Sequence, residues 1–277
     1  MLRNELAVMF GRVRIRLLLL VIAAIPVGYA IGVRLSGHAT GDAPAFVGQI
    51  PQNGLFAGLA GLTTTVAAVL PLIVAVVAGD AIAGEADFGT LRTLLTAPLS
   101  RRRLLGVKLA AVCVFCLTAA FVAVLAGSIA GALLFHVGPV PTALGLGDPT
   151  STDTLTGPTL SIFVASARLV LAALIGGVQL FGFAAIGVFL STLTRVPLGA
   201  TVALAGVLGI SDALESVGAL KAVRGAIPST YWDGFTALFH TGRALEDITS
   251  AVFTSMAYLL VFGLLALWKF SRTDIAT

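Results

Sequence analysis

Residues 80–108, DAIAGEADFGTLRTLLTAPLSRRRLLGVK, carry eight ionisable side chains: Asp80, Glu85, Asp87, Arg92, Arg101, Arg102, Arg103 and Lys108. Such a set can contact a protein partner or attract anionic lipid, and a bilayer interior rejects it. Long apolar runs, 55–79 and 109–135, lie on both sides. Covalent chemistry is harder to find. A membrane-embedded enzyme needs paired His, Asp or Glu side chains within its spans, or a nucleophile with a base. The apolar runs hold no such set. Cys113 and Cys116 are spaced C-x-x-C inside an apolar run. A zinc or redox site needs further ligands or an exposed thiolate, so this pair reads as two small residues packing on one helix face. His38, His136 and His240 fall in three separate connecting regions and read as solvated loop residues. The residues thus suggest no catalytic, metal-binding or cofactor-binding group in this chain.

The charged stretch needs a frame. Of 277 residues, 58% are hydrophobic and 11% charged, against about 25% charged in a soluble domain. The chain reads as an all-α integral membrane protein forming one membrane domain over residues 1–277. Its formal net charge of +4 does not point to nucleic acid, because the basic residues gather at span ends.

Residues 1–16, MLRNELAVMFGRVRIR, place Leu2, Leu6, Met9, Phe10 and Val13 at helical spacing among four arginines. They read as an amphipathic helix lying in the cytoplasmic interface. As the n-region of a signal peptide the segment is too long, contains Glu5 and is apolar in its own right. Six spans are expected at 17–33, 55–79, 104–135, 161–190, 197–211 and 248–268, with Pro26 and Pro71 inside the first two. Gly/Pro-rich loops lie at 35–54 and 136–160, and Arg168 near the outer end of span four can snorkel to water.

Six spans put both termini on one side. Arg3, Arg12, Arg14, Arg16, Arg92, Arg101, Arg102, Arg103, Lys108, Arg195, Lys269 and Arg272, twelve in all, share one face; Arg34, Arg168, Lys221, Arg224 and Arg243 make five on the other. The excess marks the cytoplasmic face. The 80–103 segment is then cytoplasmic, as are both termini, in a multi-pass protein of the cell membrane. Trp268 fits the inner aromatic belt and Tyr231-Trp232 the outer one. Arg101, Arg102 and Arg103 set topology and also attract anionic membrane lipid. Lys108, about one turn inside, can snorkel back.

Within 80–103, Phe88, Leu91, Leu94 and Leu95 form one apolar helical face, with Glu85 before it, and Pro98 stops the helix. That ridge must be buried against the lipid interface, the protein's own helices or a groove on a soluble partner. At these residues the chain resembles the type-2 ATP-binding-cassette (ABC) exporter permeases. Their signature, E-x-x-x-G-T-L-x-x-L-L-x-x-P-x-S-R followed by a Lys, is met by Glu85, Gly89, Thr90, Leu91, Leu94, Leu95, Pro98, Ser100, Arg101 and Lys108. The resemblance implies an elbow helix at the N-terminus and a coupling helix between spans two and three. It also implies a separate ATP-binding subunit that holds ATP and Mg, and a second permease half. No G-x-x-x-x-G-K-[ST] phosphate loop occurs here, which fits a non-enzymatic permease.

The pathway is expected near Gln179 in span four, with Thr64 and Tyr231 as further candidates. Thr63, Thr65 and Ser128 offer only small hydroxyls, which more often tie helices together. So little charge suits an amphipathic or lipid-like cargo. Residues 212–247 follow span five on the outer side. Leu214, Val217, Leu220 and Val223, then Phe235, Leu238 and Phe239, read as two short amphipathic helices broken at Ile227-Pro228. A re-entrant pair capping the exit is expected, in keeping with the resemblance. The alternative functions are a non-transporting anchor or sensor on the same coupling fold, and an embedded enzyme.

Overall fold

The computed structural model describes residues 1–36, 50, 53–87, 100–138, 140–141, 159–194, 196–216, 227–239 and 244–272. Helix α1, Leu2–Gly11, ends where Arg12 turns extended (φ −68°, ψ 129°). Helix α2, Val13–Ser36, starts at once. The amphipathic helix is therefore shorter than the expected 1–16, and Arg14 and Arg16 belong to the first long helix. Gly11 offers little resistance to leaving the helix. The break at Arg12 frees α1 to pack across the foot of a later helix rather than continue the α2 axis.

Pro26 sits inside α2 without ending it. A Cβ on Gly61 would fall 2.5 Å from the Pro26 Cβ, so the proline ring rests on a bare stretch of the next helix. That helix is α3, Phe56–Thr64. It passes through a π turn, Thr65–Val69, into α4, Leu70–Asp87, with a bend of 54°. Pro71 explains the irregularity. It has no N–H to donate, and its ring would clash with the carbonyl four residues earlier. Thr63 and Thr64 donate to the carbonyls of Leu59 and Ala60 at 2.9 and 2.8 Å, and Thr65 to that of Gly61. Such back-bonding supports a bend.

Helix α5, Arg101–Leu134, has 34 residues. At 1.5 Å per residue it is about 50 Å long, so it outruns the roughly 30 Å hydrocarbon core. A two-residue antiparallel pair follows, β1 (Val140–Pro141) with β2 (Thr159–Leu160). Helix α6, Ile162–Leu193, is the most enclosed long helix. It packs on α3, α4, α5, α7 and α8. Its N-cap Ser161 accepts from the Val164 N–H. Helix α7, Pro197–Ser216, opens on proline at its first position. Two 3-10 turns, Pro228–Tyr231 and Gly234–Phe239, precede α8, Ala244–Arg272.

The all-helical membrane architecture expected from composition is present. Among the described residues, four helices are long and apolar enough to cross a membrane, and five if α3 and α4 make one bent span; the apolar part of α7, Pro197–Ser211, is shorter. Glycines bring α3 and α5 into backbone contact. Gly54 and Gly58 face Gly127 and Gly131, where an added Cβ would collide with the opposing backbone or with Ser128. Four-residue spacing of glycines on both partners is a close-packing pattern of membrane helices. At the same end Asn53 Nδ2 donates to the Gly138 carbonyl at 2.7 Å and Gly54 N–H to His136 at 2.8 Å.

The stretch after α7 departs from expectation. The α7 helix runs on to Ser216, past the anticipated end at 211. Residues 217–226 lie outside those described. After Pro228 the chain forms 3-10 turns, not an amphipathic α-helix, and Phe235, Ala237 and Phe239 are buried. Arg168 does not simply snorkel: its Nη1 donates to the Leu238 carbonyl at 2.8 Å, tying this segment to α6. Trp232 is no belt residue. It is 6% exposed and meets Phe183 edge-on at 5.5 Å. An aromatic pair inside the protein keeps more of its surface from solvent than a ring in the headgroup layer. Trp268, at 55% exposed, keeps the surface position expected of it.

Candidate functional site

Helix α4 ends at Asp87 and α5 begins at Arg101, so these two helices are the stems of the charged segment. Glu85 lies in the last turn of α4. Lys108 lies two turns into α5, on its inward face. The Lys108 Nζ donates to Glu85 Oε1 and also to Glu5 Oε1 of α1, the latter at 2.6 Å. Its side chain is only 6% exposed. Two anions therefore hold an ammonium that the sequence reading sent to water. A lysine buried without a partner carries a desolvation cost of several kcal/mol, and charge-assisted hydrogen bonds to two carboxylates offset it.

A second set adjoins the first. Asp80, two turns before Asp87, faces Arg12 and Arg14 at 3.5 and 3.6 Å. The arginines are about half exposed, so each of these bonds contributes little by itself. Together the six groups balance, with Glu5, Asp80 and Glu85 against Arg12, Arg14 and Lys108. All of them but Arg14 line a cleft of about 40 Å³ that Met9, Ile15, Val77 and Val112 complete, room for little more than a water molecule. Phe10 adds an apolar contact, its ring 6.5 Å from that of Phe115.

Chemically this is a clamp. It holds no nucleophile beside a base and no cradle for a phosphate. Its consequence is mechanical: the α5 stem is fastened to α1 through Glu5, and the α4 stem to Lys108 and to the α1–α2 junction at Arg12 and Arg14. A displacement of that segment must move α1 or break buried ion pairs.

Further along α4, Ser191 serves as a second fastening. Its hydroxyl donates to the Gly79 carbonyl at 2.7 Å and lies 3.1 and 2.9 Å from the N–H groups of Ile82 and Ala83. It is fully buried. In the sequence it begins an apparent turn, STLTRVP, and nothing there marks it as a helix-to-helix tie. Glu5, Asp80 and Arg12 were equally hidden. Their only signal was the presence of opposite charges at the ends of neighbouring apolar runs.

Of the expected coupling residues, Glu85 is in the clamp. Ser100 is the N-cap position of α5, its carbonyl accepting from Arg103 and Leu104. Arg101 is half-buried at the first position of the helix. Phe88, Gly89, Thr90, Leu91, Leu94, Leu95 and Pro98 lie outside the described residues. Of the expected pathway residues, Gln179 is 1% exposed in the middle of α6, and neither atom of its side-chain amide has a hydrogen-bond partner among the described residues. One turn on, Phe183 touches Trp232, whose neighbour Tyr231 closes the first 3-10 turn. Thr64 spends its hydroxyl on its own helix. Cys116 is buried and Cys113 half-buried, both as free thiols.

Apolar helices of spanning length, with ion-paired stems gathered at one end, define a multi-pass membrane protein. A family model described as ABC-2 family transporter protein matches residues 12–212, and the chain belongs to that family. The match contains Asp80, Glu85, Lys108 and Ser191 and begins after Glu5. No curated protein matches the chain.

Proposed function

We propose that this chain is the membrane-spanning subunit of an ABC exporter, forming one half of a translocation pathway driven by a separate ATP-binding subunit. The observation that carries the reading is the clamp. A segment that receives force from a partner needs its two ends fixed to the rest of the protein, and Lys108 of the α5 stem binds both Glu5 of α1 and Glu85 of the α4 stem. In this reading α3 and α4 form one bent span and α7 a short one, so six spans leave both termini in the cytoplasm of a cell-membrane protein. The 80–103 segment carries the coupling role, with Phe88, Leu91, Leu94 and Leu95 docking in a groove on the ATPase. The ATPase holds ATP and Mg. A second permease half, identical or related, completes the pathway.

Gln179 marks the cargo side of α6. A buried amide with unfilled hydrogen bonds costs about 1–3 kcal/mol, and a partner helix or a polar group on a moving cargo would relieve it. The 212–247 segment is assigned the role of capping the outer exit. The function is tested by purifying the chain in mild detergent. A P-loop ATPase is expected to co-purify, and addition of ATP should drive cargo out of the inner leaflet. If no ATPase accompanies a folded chain, the coupling reading fails. An ATPase that co-purifies without any cargo movement would favour the anchor or sensor alternative.

A further inference from the structure

A groove of about 550 Å³ opens on the side of the helical bundle away from the clamp. Both α5 and α8 pack on α6, but they part enough to leave Phe181 of α6 in view at the groove floor. One wall is α5, from Leu105 and Gly106 to Leu117; the other is α8, from Leu259 to Leu267. The lining is almost wholly apolar. Leu105 to Leu117 spans about 18 Å of helix. That is more than half of a roughly 30 Å hydrocarbon core, the depth of one leaflet.

The chemistry changes at the mouth. Arg102 and Arg103 are exposed and stand four and three residues before Gly106, on the groove face of α5. The last turn of α8 carries Lys269 and Arg272, and the Arg272 guanidinium lies over the Trp268 ring at 4.8 Å. An exposed tryptophan beside an arginine is the composition of the headgroup layer. Gly106 keeps the mouth clear, because a Cβ there would meet nothing within 4 Å.

We infer that this groove is a binding site for one anionic phospholipid of the inner leaflet, its acyl chain between α5 and α8 and its headgroup at Arg102 and Arg103. An apolar slot one leaflet deep with cations only at its mouth matches an anionic lipid at both ends. A second copy docked through the same face would bring its own arginines to that mouth, and like charges oppose such a contact. The inference takes its leaflet from the orientation proposed above. The match of apolar slot to cationic mouth does not depend on the ATPase.

The test reads lipid retention. The full chain is incorporated into vesicles of equimolar phosphatidylglycerol and phosphatidylcholine with matched acyl chains, released into mild detergent and weighed by native mass spectrometry. One phosphatidylglycerol per chain is expected, favoured over phosphatidylcholine on the order of tenfold for two arginines near one headgroup. Arg102→Gln with Arg103→Gln should bring the two lipids close to parity. Gly106→Leu should lower retention of both lipids several-fold, with helix content and melting temperature unchanged, since the added side chain enters open space. Equal retention of the two lipids by the unaltered chain would overturn the inference. So would a phosphatidylglycerol preference that survives Gly106→Leu, which would mean surface charge alone. No retained lipid, with Cys113 crosslinking between chains, would assign the groove to a second copy and overturn it as well.

Discussion

Lys108 is the residue on which the clamp turns. Replacing it with methionine leaves Glu5 and Glu85 facing each other without a cation. Breaking a buried ion pair by removing one partner costs about 3–5 kcal/mol. Lys108→Met should therefore lower the melting temperature in detergent sharply. Adding Glu85→Gln and Glu5→Gln should recover much of the loss, because the orphaned charge is then gone. If the single and triple variants melt alike, the clamp is not an electrostatic unit. Ser191→Ala is milder in charge but as deep. It leaves one buried carbonyl and two N–H groups of α4 without their shared hydroxyl, at about 1–3 kcal/mol, and Ser191→Thr should keep the polar contacts. Thermal unfolding of the two variants distinguishes this tie from simple packing. Glu85 and Lys108 were legible in the sequence as members of one motif, 23 residues apart. Their contact with each other was not, and Glu5 lies 103 residues from Lys108. A pattern of charges near span ends says which side of a membrane they face, but it cannot choose their partners.

At the scale of elements, the apolar runs announced the helices well, since a chain without water must satisfy its backbone internally. What the runs concealed was the local irregularity. Pro71 implied a disturbance of span two, but the choice between a kink and a π turn depends on packing against α2 and α6. The segment after Pro228 has helical spacing of its phenylalanines, yet burial against α6 and the Arg168 hydrogen bond hold it in 3-10 turns. Tertiary contacts outweighed a short periodic pattern. The glycine contact of α3 with α5 provides a direct check on the bundle. Gly131→Leu would drive a side chain into the Gly54 backbone, and the two helices must separate. The expected outcome is loss of monodisperse protein in detergent, whereas Gly106→Leu, in open space near the start of α5, should remain well behaved. Equal behaviour of the two variants would contradict the close approach of α3 and α5.

For the whole molecule, the account joins three things: a family match over residues 12–212, an ionic clamp at the feet of α1, α4 and α5, and a charged segment between the stems. Orientation follows from the basic residues. Cysteines introduced at Ser36 and Asp153 should react with an impermeant reagent in intact cells, and one at Thr93 should react only after permeabilisation. External labelling at position 93 would reverse the orientation and remove the coupling reading with it. Within that orientation, Leu94→Glu should leave the fold intact and detach or uncouple the ATPase, since a charge placed in an apolar docking groove has no partner. The most direct measurement is photocrosslinking in living cells from a benzophenone amino acid placed at Leu94, with the same probe at Asp153 as the outer control. The account predicts a covalent adduct between position 94 and a P-loop ATPase, and none from position 153. A probe at 94 that captures only lipid or this chain's own helices, while the protein still moves its cargo, would contradict it.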